Sequence, residues 1–372
     1  MDHLDEFLEN PWVNGILGLL AVLVLIILVV LALIYIERKF LARIQMRLGP
    51  MRTGPYGLLQ SLADAIKLLA KEDLRPARAD RWVFELAPYA VFVPGFLAFV
   101  AIPFTRNWAV SFLELGLFYV VAVTGLSFVG LLMAGWASDN KYALLGGMRA
   151  AAQLISYEIP LVLALVAVSM VAGTLNLREM VEAQGRVPLV VWQPLAFFIF
   201  MAAALSELER QPFDIPTAES EVVGGPYIEY SGIRWSMFFL TSYANLFLYS
   251  LLGAAVFLGG WDWFLGRDAG PWLQALWMAG KTTFLILVFM WARGTFPRLR
   301  IDQLMSLCWK VLLPLAFLQI FLSGLVLVHG WPDWALLLTS GAGLLAAAYI
   351  VWAAVRPRPL AVREAVASGS VA

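Results

Sequence analysis

The chain has 372 residues, of which 61% are hydrophobic and 14% charged, with a formal net charge of zero. A soluble domain is nearer half apolar and a quarter charged, so this composition excludes one water-surrounded core and points to a chain whose solvent is lipid. Zero net charge offers no basic surface for nucleic acid. The single cysteine, Cys308, excludes a disulfide framework, a cysteine zinc site or an iron–sulfur cluster held by this chain alone. His3 and His329 lie in opposite terminal regions, and no glycine-rich nucleotide fingerprint occurs. No redox cofactor is expected to be bound by this chain alone.

The first ten residues carry Asp2, Asp5, Glu6 and Glu9 without a Lys or Arg, the wrong sign for a secretory signal. The first apolar run, 12–36, is long enough to cross a bilayer, which takes roughly 20 residues. Directly after it come Glu37, Arg38, Lys39, Arg43 and Arg47, then Gly49-Pro50 and Gly54-Pro55. The stretch 57–71 places Leu58, Leu59, Leu62, Ile66 and Leu69 at helical spacing, with Gln60, Asp64, Lys67 and Lys71 opposite. Fifteen residues are too few to span, so it reads as an amphipathic interfacial helix. It is either a surface anchor or the wall of a lipid-accessible cavity.

Spans two and three are predicted at 84–104 and 113–136. Between them and a fourth at 155–173 lies a short polar loop with Lys141, Gly146-Gly147, Arg149 and Gln153. Glu158 then falls inside an apolar helix. An intramembrane acid is costly, and is functional unless a partner such as Arg149 or Lys281 neutralises it. Pro160 loosens the helix at that turn.

After a fifth span at 189–206 comes the richest loop, 207–235. Glu207, Glu209, Asp214, Glu219, Glu221 and Glu229 face one basic residue in its acidic stretch, Arg210. Their interleaving with Pro, Phe, Ile and Gly suits a packed polar site better than a solvated loop, and crowded carboxylates raise one another's proton affinity. Spans at 236–260, 272–293, 308–329 and 334–355 complete nine, with the last two in a hairpin. Between the seventh and eighth lie Arg298, Arg300, Asp302 and Gln303, with Arg293 at the preceding span's end; a plain positive-inside cluster accounts for these arginines equally well. Lys281 is a lone charge inside span seven, either snorkelling to the interface or part of a proton path. The tryptophans gather near span ends as in aromatic belts, and Cys308 reads as a small buried hydrophobe.

Of the 26 Lys and Arg, 21 fall on the side that faces spans one, three, five and seven at their C-terminal ends. The positive-inside rule therefore places the N-terminus outside and the C-terminus in the cytoplasm. The fold expected is an all-α, multi-pass membrane protein, one polytopic domain over 1–372, with its polar loops on the cytoplasmic face.

These loops resemble a known family. The strings ERKFLARIQMRLGP at 37–50, GLLQSLADAIKLLAKED at 57–73 and ADRWVFELAP at 79–88 look like its first loop. GWASDNKYALLGGMRAAAQLISYE at 135–158 is similar to its second, ERQPFDIPTAESE at 209–221 to its third, and RIDQLM at 300–305 to its fourth. The family is that of the quinone-site membrane subunit of NADH:quinone oxidoreductase, respiratory complex I. The resemblance implies a subunit of a quinone-reducing, proton-translocating oxidoreductase in the bacterial cytoplasmic (inner) membrane. It implies quinone as substrate, and FMN and iron–sulfur clusters in partner subunits of the peripheral arm. Other membrane-arm subunits would adjoin it. Glu37, Arg38, Arg47, Asp64 and Arg293 fall at positions the family associates with the quinone chamber and its entrance. Glu158, Glu207, Arg210, Asp214, Glu219 and Glu221 fall on the acidic path into the membrane, to which Lys281 is added. Gly125, Thr217 and Ser242 stand where many members carry acids. Related subunits of ferredoxin-linked or hydrogenase-type complexes are the alternative. A stand-alone transporter would show internal repeats and a midplane site, and neither is visible.

Overall fold

The computed structural model describes residues 11–185, 187–262 and 270–355; the side chains of 11–14, 219–220 and 350–355 fall outside that description. The expectations for the acidic N-terminus, Arg186, Arg267 and the tail after 355 therefore lie outside the described residues. Among the described residues every regular element is helical, apart from an isolated bridge between Thr105 and Trp108.

Helix α1 spans Pro11–Ile44. It continues past the apolar run because no Gly or Pro falls between Ile36 and Gly49, so Glu37 and Arg38 sit on its last turns and not in a loop. Helix α2, Gln60–Ala70, is the short amphipathic segment. Leu62, Ile66 and Leu69 are exposed on it. Helix α3, Arg81–Leu97, is capped by the Asp80 carboxylate, which accepts from Trp82 N and Val83 N, and runs into a 3-10 turn at Ala98–Ala101. Helices α4, Gly116–Gly125, and α5, Ser127–Ala137, form one span broken at Leu126. Helix α6, Lys141–Ala172, is 32 residues long, about 48 Å at 1.5 Å per residue, well over the ~30 Å of hydrocarbon. It absorbs the segment 141–154 that the sequence reads as loop, and ends on Gly173 in the left-handed region.

Helices α7, Leu177–Ala183, and α8, Leu189–Trp192, lead to α9, Pro194–Glu207. A four-residue turn α10, Glu219–Val222, precedes α11, Gly232–Phe257, and α12, Pro271–Thr295. Helix α13, Ile301–Leu307, passes through a π turn at Cys308–Leu312 into α14, Leu313–Val328, and α15 spans Trp334–Val355.

Seven helical segments among the described residues are long and apolar enough to cross a membrane: α1, α3 with its 3-10 turn, α4–α5, α6, α11, α12 and α13–α14. The fifth and ninth predicted spans are shorter. Gln193 adopts φ −128° and ψ 60° and Pro194 restarts the chain, so α9 keeps 14 residues, roughly 21 Å. The apolar part of α15 that is described runs over Trp334–Tyr349.

Helix α11 is the axis of the bundle, buried without interruption from Leu248 to Phe257 and packed against α3, α12 and α1. Helix α6 is the second axis, against α5, α9 and α14. Where α5 crosses α6, a Cβ on Gly135 would stand 3.0 Å from the Gly147 Cα. Small residues at this crossing let the backbones touch, the usual means of helix association where lipid removes the hydrophobic drive.

Candidate functional site

The loop after α9 is tied down from two sides. Gln153 on α6 donates its amide to Ser206 O at 2.8 Å and Phe213 O at 2.9 Å. Leu299 N donates to Pro212 O at 3.0 Å. Tyr157, stacked obliquely on Phe213, donates its hydroxyl to Leu304 O at 2.9 Å. The Gln211–Pro212 peptide is cis. Buried backbone carbonyls need such donors, and here they fix the loop that carries the charges.

Glu37 is buried on α1 between two arginines, Arg210 from the loop and Arg293 from α12, each donating Nη1 to a different carboxylate oxygen. Arg210 is as buried as Glu37, and its guanidinium lies over the Tyr243 ring at 4.6 Å. Arg293 is one-third exposed. A buried carboxylate is tolerable only when so paired. Beside this group Asp214 accepts from Arg298 at 3.0 Å and from the Thr217 hydroxyl.

These charges border a cavity of about 790 Å³, within the size range of small-molecule sites. Arg210, Arg293, Arg298, Asp214 and Glu209 supply its polar wall, and Trp235, Phe238, Phe239 and Tyr243 its aromatic one. Such a site has three kinds of surface at once: flat rings for a planar ligand, cations for an electron-rich one, and acids that exchange protons.

At the cavity's inner edge Tyr227 donates its hydroxyl to Glu209 Oε2 at 3.2 Å. Burial lifts the Glu209 carboxyl to about 7, with the Tyr227 hydrogen bond opposing and Asp214 adding to the rise. Burial and the neighbouring Glu209 hold the Tyr227 hydroxyl well above its ordinary range. Deeper in, Glu207 and Glu158 are near enough to repel one another, and Tyr249 stands beside both.

The predicted site residues are thus partly gathered. Glu37, Arg210 and Arg293 form one ionic group, with Asp214 at the same cavity and Glu207 and Glu158 below it. Arg38 and Asp64 pair at 2.6 Å, joining α1 to α2 beside the site, with Gln60 also on Asp64. Arg47 is exposed and bonds Gln45. Glu221 pairs with Arg149 at 2.5 Å, so Arg149 is not the partner of Glu158. The side chain of Glu219 lies outside the described residues. Lys281 stands apart from the acids of the cavity, with Asp262 as its neighbouring carboxylate. Its Nζ donates to Gly260 O at 2.8 Å and Asp262 O at 2.5 Å, just past the far end of α11. Tyr243 to Phe257 alone is roughly 21 Å of helix. Carbonyls at a helix C-terminus attract a cation by the helix dipole. Glu209 and Arg298 stand in the sequence as loop charges without an assigned site, and Tyr227 and Tyr243 are cavity residues that the loop charges do not point to.

A family model described as NADH dehydrogenase matches residues 17–324. The chain belongs to the NADH dehydrogenase family. Its curated relatives are named as a subunit of NADH-quinone oxidoreductase. That of Geobacillus kaustophilus is 50% identical over 79% of this chain and 88% of its own. That of Bacillus mycoides is 46% identical over 87% and 98%, and that of Dehalococcoides mccartyi 44% over 87% and 89%. The matched span runs from within α1 through most of α14, and with it every residue of the cavity.

Gly125 stands directly against Glu158. A Cβ there would overlap the Glu158 carboxylate oxygen, so Glu158 occupies the space a side chain at 125 would need. Gly125→Glu is therefore expected to displace Glu158 and add a like charge beside it. The thermal stability of the purified protein should fall, and Gly125→Ala should produce a smaller fall by displacement alone. An unchanged melting temperature in both would show that Glu158 yields the space at no cost.

Proposed function

We propose that the chain is the quinone-site membrane subunit of a proton-pumping NADH:quinone oxidoreductase, providing the quinone chamber and the start of its acidic coupling path. The observation that carries this reading is the cavity of about 790 Å³ walled by aromatic rings and by Arg210, Arg293 and Arg298. A quinone headgroup is planar and accepts hydrogen bonds at two carbonyls. Its reduction by two electrons demands two protons. Rings that sandwich it, cations that stabilise the charge developing on its oxygens and a nearby chain of acids match that chemistry.

In this reading the chain has nine spans, with α9 and α15 the two short ones, the N-terminus outside and the cavity at the cytoplasmic face of the bacterial inner membrane. The exposed apolar residues of α2 meet lipid, and quinone reaches the cavity past the Arg38–Asp64 pair. The chain brings no redox group of its own. FMN and iron–sulfur clusters belong to peripheral-arm subunits that close the cavity from the cytoplasm, and further membrane-arm subunits receive the coupling. The relatives' names, each a subunit of NADH-quinone oxidoreductase, support membership of a multi-subunit assembly. Glu37, Arg210 and Arg293 position the ligand, while Asp214, Glu207, Glu158, Glu219 and Glu221 carry charge changes inward.

A photoreactive quinone analogue, applied to the complex in its own membranes, tests the site. Label is expected on cavity residues such as Phe239 or Tyr243, and Arg293→Ala is expected to raise the quinone KM about tenfold, the loss of one charge-assisted contact of about 1.5 kcal/mol. Label confined to other subunits, with KM unchanged, would overturn the assignment.

A further inference from the structure

Two cavities meet beneath the loop that follows α9. The larger is the one already described. The smaller, about 30 Å³, lies deeper between α3, α5, α6, α9 and α11, and reaches Glu207 and Asn245. Leu208, Glu209, Tyr227, Phe238 and Ser242 line both. Among the described residues, Glu209 is the only carboxylate common to the two. Asp214 belongs to the larger cavity, held by Arg298, and Glu207 to the smaller.

The bonding at this junction is incomplete in a specific way. Glu209 Oε2 has Tyr227, but Oε1 is shut off from solvent and has no partner in the protein. Glu207 Oε1 and Asn245 Oδ1 are in the same condition. Buried polar atoms are almost always satisfied, by ordered water where protein does not serve. A cavity of this size has room for roughly two waters, and three acceptors with the Ser242 hydroxyl beside them are what such waters bind. The backbone points the same way. Glu209 has φ 48°, an uncommon conformation for a residue with a side chain. It breaks the chain away from α9 immediately after Glu207, with Glu209 N donating to Ser206 O at 3.0 Å. Strain of this kind, held by surrounding bonds, gathers at functional sites.

We propose that Glu209 is a proton-exchange residue joining the two cavities, giving its proton to a ligand oxygen in the larger one and regaining it from Glu207 through water held by Ser242 and Asn245. The inference rests on the quinone reading above. The step balances simply: the Glu209 O–H bond breaks as an O–H bond forms on the reduced quinone, whose electrons come from the iron–sulfur clusters of a partner subunit. Glu207 then loses a proton to the intervening water as that water gives one to Glu209. Tyr227 remains a hydrogen-bond donor throughout. The groups facing Glu209 are Tyr227, Asp214 and Glu207, with Arg210, Arg293 and Arg298 across the larger cavity. With a carboxyl that titrates at about 7, the proton is present below that pH and absent above it. Turnover limited by this donor falls as pH rises through 7.

The test uses the assembled complex reconstituted in liposomes. Glu209→Gln removes the acid, and Glu209→Asn does so with a residue suited to a left-handed backbone. Both are expected to lower quinone reduction at least about tenfold, as loss of a general acid does. Both should flatten the alkaline limb near pH 7 and remove a protonated-carboxyl band from redox-induced infrared difference spectra. Glu209→Asp should restore the limb and the band. Tyr227→Phe, which keeps the acid but deletes the hydrogen bond that lowers its proton affinity, should move the limb to higher pH. If Glu209→Gln assembles and keeps the limb and the band, the proposal is wrong. If Glu209→Gln and Glu209→Asn fail to assemble, Tyr227→Phe decides, and an unmoved limb overturns the proposal. Failure of the quinone site itself would register separately, as an Arg293→Ala complex with unaltered quinone KM.

Discussion

Arg210→Met is expected to abolish quinone reduction and to loosen the subunit. The change leaves Glu37 buried with one arginine in place of two, and that one, Arg293, is partly in solvent. Removing one partner from a buried ion pair typically costs about 3–5 kcal/mol, because the remaining charge has lost its compensation and cannot reach water. Arg210→Lys should recover only part of the loss. A lysine supplies the charge but not the planar fork, nor the flat face that lies on Tyr243. The double variant Glu37→Gln with Arg210→Met separates the two effects. It removes both charges of the buried pair, so thermal stability of the detergent-purified complex should return towards the parent value while quinone reduction stays lost. If the double variant is as unstable as Arg210→Met alone, the cost lies in packing and not in charge.

A second large effect is expected at Gly225. Its φ is +60°, and a Cβ there would overlap the Pro216 carbonyl oxygen. That oxygen is backbone and has no rotamer to give. On the other side, Gly146 of α6 meets the Gly225 Cα itself. Gly225→Ala therefore combines a left-handed non-glycine backbone, about 1–3 kcal/mol, with an overlap that only moving the loop relieves. The loop carries Gly224 and Tyr227, both in the cavity wall. Loss of assembled complex, read as the yield of partner subunits co-purified with a tagged chain, is the expected result. Gly173→Ala is the control. Its φ is +73°, but nothing lies within 4 Å of the added carbon, so it should cost only the backbone part and assemble.

Much of the bundle was legible because lipid demands long apolar runs. The seven long segments follow hydropathy, and the run from Glu37 to Ile44 is helical because no breaker falls in it. The fifth predicted span shows where hydropathy stops helping: Val190–Trp192 and Leu195–Phe198 are all apolar, yet Gln193-Pro194 divides them by backbone geometry. The loop motifs led to Glu37, Arg210 and Arg293, and the structure brings these together from residues as far as 256 positions apart. Glu209 was visible only as one acid among six. What distinguishes it is a left-handed backbone and a hydroxyl from Tyr227, eighteen residues on. Neither has a signature in residue spacing. Lys281 reads in sequence as an unmatched charge, since backbone carbonyls as partners leave no trace in composition.

The wall of the large cavity carries a balance of charge. Arg210, Arg293 and Arg298 supply three cations, and Glu37 behind the first two, Asp214 and Glu209 supply three anions when ionised. In electrical terms it is a small capacitor, at zero charge while Glu209 is ionised and at one positive charge while Glu209 holds its proton. A neutral ligand enters it without dragging an ion along. On the proposed quinone reading, electrons arriving on that ligand leave the plates unmatched, and the imbalance is relieved fastest by the lightest carrier present, a proton. Because Glu209 titrates at about 7, it is the plate whose charge changes at physiological pH. The pairing of one electron with one proton would then follow from the sum of the fixed charges, before any larger motion of the protein is called on.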